Sequence, residues 1–92
     1  MIKTWKHKGL QQFFLNSSKK GINPAHAKRL TIILQSLDVA ENPSDLNLPG
    51  FYFHELEGNL EKYYSVKVNG NWRVIFQFED KNAFKVDYLD YH

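Results

Sequence analysis

The residues best suited to chemistry lie in the second half of the sequence. His54 follows Phe53, Arg73 stands between Trp72 and Val74, and the sequence closes on Asp90-Tyr91-His92. A guanidinium is charged at any ordinary pH. Arg73, within Trp-Arg-Val-Ile-Phe, must therefore face water, a carboxylate or an anionic ligand. An exposed strand position, or an ion pair with Glu55 or Asp90, accounts for it as well as an anion does. His92 neighbours the terminal carboxylate, and strand alternation puts Asp90 on its face. Nearby negative charge favours imidazolium, which can act as a general acid near neutral pH. A terminal histidine can equally be frayed and idle. Taken singly, His54 reads as a strand histidine, and Lys62 and Lys67 as solvated charges.

Other chemistries find little support. Cysteine is absent, which removes disulfides and thiolate metal sites and fits a reducing compartment. His7, His26, His54 and His92 lack metal-ligand spacing, so no metal or other cofactor is expected. Neither a phosphate-binding glycine loop nor a dinucleotide fingerprint occurs. Ser17, Ser18, Ser36, Ser44 and Ser65 sit in no nucleophile elbow.

The elements that must position these residues follow from patterning. The 92 residues suit one domain, 1–92. Twelve Lys and Arg against ten Asp and Glu permit nucleic-acid binding without demanding it. The first third is basic through Lys3, Lys6, Lys8, Lys19, Lys20, Lys28 and Arg29. No apolar run is long enough to span a bilayer, and the opening residues lack the stretch of a signal peptide, so a cytoplasmic protein is expected.

Composition changes near residue 50, and 11 of the 14 aromatic residues lie beyond it. Residues 2–6 suggest a short first strand. Leu10, Phe13, Phe14 and Ser17 keep helical spacing, with Gly21 as the expected stop. Asn23-Pro24 restarts a helix whose stripe is Ala27, Leu30, Ile33, Leu34 and Leu37, closed by Asn42-Pro43. Residues 43–50 form a loop with one helical turn. The period then drops to two. Strands are expected over Phe51–Glu57, Tyr63–Val68, Trp72–Glu79 and Ala83–Tyr91. Gly58-Asn59 and Asn69-Gly70 mark turns, the latter of type I′, and Asp80-Lys81-Asn82 joins the last two strands. The expected product is an α+β domain, an antiparallel sheet with two helices on one face and the other face left for function.

Several of these segments together resemble the HigB toxins of the RelE/ParE superfamily. They are the opening Ile2-Lys3-Thr4-Trp5-Lys6-His7-Lys8-Gly9-Leu10, then Gly58-Asn59-Leu60 with Tyr64-Ser65-Val66-Lys67-Val68-Asn69. Trp72-Arg73-Val74-Ile75-Phe76 and the terminal Asp90-Tyr91-His92 complete the likeness. It spans essentially the whole chain.

The resemblance implies a RelE-like, microbial-ribonuclease-like fold and the toxin half of a type II toxin–antitoxin system. It implies an endoribonuclease that cleaves mRNA in the ribosomal A site without metal or cofactor. The implied partners are a HigA-like helix-turn-helix antitoxin, the 70S ribosome with its mRNA, and operator DNA only through the antitoxin. By this likeness His54 is the general base, Arg73 binds the scissile phosphate, and His92 protonates the leaving oxygen. Tyr91 shares that duty or orients the RNA, and Asp90 supports the terminal pair. Lys62 and Lys67 are the candidate substrate-binding lysines, able to compensate for a basic residue missing nearby. One departure stands out: active relatives often carry lysine where this chain has Glu57, so reduced activity is expected. The competing readings are a ParE-like gyrase inhibitor and a catalytically weak protein acting through antitoxin binding and operon repression.

Overall fold

The computed structural model describes residues 1–58 and 62–90. Helix α1 covers Lys8–Asn16 and α2 covers Ala27–Val39, followed by strands β1 (His54–Leu56), β2 (Tyr63–Asn69), β3 (Trp72–Glu79) and β4 (Asn82–Asp90). The expected α+β arrangement is present. The four strands form an antiparallel meander in the order β1-β2-β3-β4.

Local chemistry explains where the helices begin and end. His7 caps α1, its Nδ1 accepting from the Leu10 N–H at 2.9 Å. The helix stops not near Gly21 but at Ser17, which takes a left-handed φ of 60°. Gly21 serves another purpose. A Cβ there would lie 2.4 Å from the Cα of Gly9, so the pair lets two backbones touch. Asn23 Oδ1 accepts from Ala25 N–H at 2.9 Å, and Pro24 opens a 3₁₀ turn that runs into α2. Leu30, Ile33, Leu34 and Leu37 are fully buried, as their spacing requires. Helix α2 ends at Val39, ahead of Asn42-Pro43. That dipeptide instead starts a single 3₁₀ turn, and Asp45 accepts from the backbone N–H groups of Glu41 and Asn42.

One sheet face carries Val66, Val68, Val74, Phe76, Ala83, Val86 and Tyr88, and these join the helix stripe in the core. The N-terminal segment is not a strand. It makes isolated parallel bridges, Ile2 with Ala83 and Trp5 with Val86, along the outer edge of β4.

Turn chemistry departs from expectation in two places. Strand β2 runs through Asn69, which pairs with Trp72, so the connecting residues are Gly70 and Asn71. A bulge between Lys67 and Asn69 supplies the one-residue shift. Gly70 has φ +56° and Asn71 is not in the positive region, which suits a II′ rather than a I′ hairpin. The turn with two positive φ values is Asp80 (51°) and Lys81 (65°). Among the described residues no helix is long and apolar enough to cross a membrane.

Candidate active site

Register determines which side chains share the face turned away from the helices. His54 pairs with Ser65, Ser65 with Ile75, and Ile75 with Asp87. The adjacent row of that face is Lys67, Arg73 and Leu89. Side chains two residues apart on a strand share a face, so His54, Lys67 and Arg73 belong to one surface. Two strand spacings across the sheet and two residues along it separate His54 from Arg73, about 12 Å between their Cα atoms. Side chains as long as histidine and arginine can therefore converge on one nucleotide-sized group.

Arg73 is the most informative member. It is half-buried, and its Nη1 is buried with no hydrogen-bond partner among the described residues. Such a guanidinium nitrogen is expensive to leave unpaired. Glu55, one of the two carboxylates suggested for it, pairs with Tyr64, itself paired with Phe76, and so belongs to the helix-side face. The other, Asp90, closes β4 opposite Trp72. Beside Arg73 stands a second cation, Lys67. The arrangement suits a ligand with more than one negatively charged oxygen.

His54 is exposed, and its Nδ1 lies 3.2 Å from the carbonyl oxygen of Tyr52. A carbonyl can only accept, so Nδ1 donates, and in the neutral imidazole Nε2 is then the nitrogen with the lone pair. That is the tautomer a general base needs.

The remaining candidates divide. Lys67 joins the site directly. Lys62 does not: it lines a separate cavity of about 470 Å³ with Thr4, Gln77, Phe84 and Lys85. Gln77 is four residues from Arg73 along β3, about 13 Å. Tyr91 and His92 lie outside the described residues. Glu57 is exposed just past the end of β1, on the side of His54 away from the Arg73 row.

The sequence expectation missed the turn that presents His54. Strand β1 is only three residues long because Gly50 (φ 81°) and Tyr52 (φ 48°) bend the chain. Phe51 turns into the core, where the Arg29 guanidinium lies 4.6 Å from its ring centre. Arg29 also donates to the carbonyls of Gly50 and Lys67. The Lys67 N–H bonds Phe51 O at 2.7 Å. A buried cluster on the other face was likewise unforeseen. Asn23 N–H donates to the Tyr88 hydroxyl oxygen, and that hydroxyl lies 2.6 Å from Nδ1 of His26. Trp72 and His7 pack edge-on or tilted around the two rings. Burial raises the Tyr88 pKa, partly offset by the Asn23 N–H, so this phenol stays neutral while it shares its hydrogen bond with His26.

Comparison with known proteins decides the family. The model of a RelE-like toxin of the type II toxin–antitoxin system HigB matches residues 3–92. The chain belongs to the HigB-like toxin family. This HigB-like chain is 38% identical over 92 residues to "Endoribonuclease HigB" of Proteus vulgaris, covering 100% of both proteins. It is also 38% identical over 94 residues to "Toxin HigB-1" of Vibrio cholerae serotype O1, covering 100% of this chain and 98% of that one. Membership of a toxin–antitoxin family makes an antitoxin the partner class of this HigB-like toxin.

Proposed function

We propose that this HigB-like toxin is an endoribonuclease that cleaves mRNA in the ribosomal A site and so stops translation. The carrying observation is the buried Nη1 of Arg73, without a hydrogen-bond partner among the described residues, beside Lys67 and on the face that also holds the exposed imidazole of His54. The endoribonuclease name of the Proteus vulgaris relative supports the same reading.

In this scheme His54 Nε2 takes the proton of the ribose 2′-OH. The 2′-oxygen attacks phosphorus in line, and the bond from phosphorus to the 5′-oxygen breaks. Arg73 donates to the non-bridging oxygens, where negative charge accumulates. His92 protonates the leaving 5′-oxygen, with Tyr91 orienting the RNA and Asp90 supporting the terminal pair. The products are a 2′,3′-cyclic phosphate and a 5′-hydroxyl. Every role is filled by a side chain, so no cofactor is needed. Residues 1–92 act as one domain in the cytoplasm. A +2 chain has modest means of holding free RNA, which favours substrate delivered by the ribosome. A HigA-like helix-turn-helix antitoxin is the proposed partner, with operator DNA bound only through it.

The test is mapping mRNA ends by primer extension in a translation extract. Wild type should give ribosome-dependent cuts that Arg73→Ala, His54→Ala and His92→Ala each abolish. Growth arrest with DNA damage and intact mRNA would instead identify a gyrase inhibitor.

A further inference from the structure

Tyr52 is a large aromatic residue used in a way that stability does not explain. Its side chain is 66% exposed, so the ring gains little from burial. Its backbone has φ 48°, a region that L-residues with a Cβ avoid. Strain of this kind persists only where the surroundings over-determine it, and here they do. Phe51 is locked into the core under Arg29, and the Phe51 carbonyl accepts from Lys67 N–H. Arg29 ties Gly50 O to Lys67 O, and the Tyr52 carbonyl accepts from His54. The turn is held at four points, and its product is an aromatic ring standing clear of the protein.

The ring's surroundings indicate what it would hold. Lys67 Nζ lies 4.9 Å from the ring centre and occupies one side of it. Lys67 is the cross-strand partner of Arg73. Aromatic ring, ammonium and guanidinium thus follow one another across the sheet, spanning about 10 Å. An exposed π-face next to two cations has the composition of a site for single-stranded nucleic acid: bases stack on the aromatic ring while cations track the backbone.

We propose that Tyr52, backed by Lys67, is a nucleobase-stacking subsite that grips an unpaired RNA base flanking the phosphate held by Arg73. The proposal rests on the ribonuclease reading and adds to it a substrate contact outside the base, acid and phosphate-binding set. Stacking is tolerant of base identity, so the subsite supplies position and affinity and leaves sequence preference to other contacts. Because the same carbonyl of Tyr52 orients His54, base and general base are set by one turn.

The test uses ribosomes programmed with an mRNA carrying 2-aminopurine beside the cleavage site and a 2′-deoxy sugar at that site to prevent cutting. Wild-type protein should quench the 2-aminopurine by stacking. Tyr52→Ala should lose the quench, and Tyr52→Phe should restore it. With the ordinary all-ribose mRNA, Tyr52→Ala should raise KM by roughly 10-fold, with kcat changed far less. Equal quench and equal KM in wild type and Tyr52→Ala, with both cutting RNA, would overturn the subsite alone. Absence of cutting by wild type would overturn the ribonuclease reading and this subsite with it.

Discussion

Lys67 and Arg73 face each other directly across the β2–β3 ladder. Like charges in that relation destabilise a sheet, and here one of them has a buried nitrogen without a partner among the described residues. The sheet tolerates an arrangement that an anion would relieve. The bulge at the end of β2 preserves it: the register slips only after Lys67, so the two cations stay opposed while the hairpin closes on Gly70-Asn71.

Arg73→Met therefore separates function from stability. It removes the proposed phosphate contact and also the buried guanidinium nitrogen that has no partner among the described residues. Cleavage of mRNA should fall by about 10²-fold or more, the size of effect seen when one oxyanion donor is lost. Thermal stability should hold or rise, by a few degrees at about 1 kcal/mol. Primer extension and a thermal melt on the same sample check both halves. A clearly lower Tm would mean that the guanidinium has a structural partner in the folded protein.

His54→Gln is expected to keep the turn and lose the base. A glutamine amide can still donate to the Tyr52 carbonyl, but it has no basic nitrogen to accept the 2′-proton. The cleavage rate should drop by about 10²- to 10⁴-fold while binding of a 2′-deoxy substrate analogue is retained. Single-turnover cleavage and analogue binding, measured side by side, make the distinction. Weakened binding in proportion to the rate would make His54 a substrate contact and not a base.

The Tyr88–His26 pair gives a pH dependence of known sign. Burial raises the Tyr88 pKa above its ordinary 10.0. As pH climbs past about 10, the unfolded chain releases this proton while the folded chain keeps it, so stability falls with rising pH. Tyr88→Phe removes this linkage along with the hydrogen bonds to His26 and Asn23. At pH 7 the variant should be less stable, by about 1–3 kcal/mol. The gap from wild type should narrow as pH rises above about 10. Urea midpoints across that range test it, and a gap that stays constant would exclude Tyr88 as the source.

What the sequence revealed depends on how far each signal reaches. Helix α2 was legible because Leu30, Ile33, Leu34 and Leu37 repeat over several turns, and Asn23-Pro24 marks the 3₁₀ turn that leads into it. The strands β2, β3 and β4 were legible because alternation persists for seven to nine residues. Strand β1 was not. Phe51-Tyr52-Phe53 alternates poorly, and the tie that bends it comes from Arg29, more than 20 residues away. The same distance hid Tyr52, since nothing local marks an aromatic residue for positive φ. His54 and Arg73 were visible as polar residues in apolar strands. Their shared face, though, depends on register across three strands, as does the placement of Lys62 at a separate cavity.

Glu57 is where sequence and geometry together make a graded prediction. It lies three residues beyond His54, about 10 Å along the strand direction, and on the side away from the row holding Lys67 and Arg73. On the proposed reading its carboxylate should therefore act on RNA passing His54 more than on a phosphate at Arg73. At an exposed position such a charge is screened by salt. Glu57→Lys should raise the rate of mRNA cleavage by about 2- to 10-fold at low ionic strength, and by less as salt is added. Its effect should appear in RNA binding and leave the rate at saturating substrate nearly unchanged. Cleavage assays over a series of salt concentrations decide the matter. A rate unaltered at every concentration would show that the acid at this position does not restrain the enzyme.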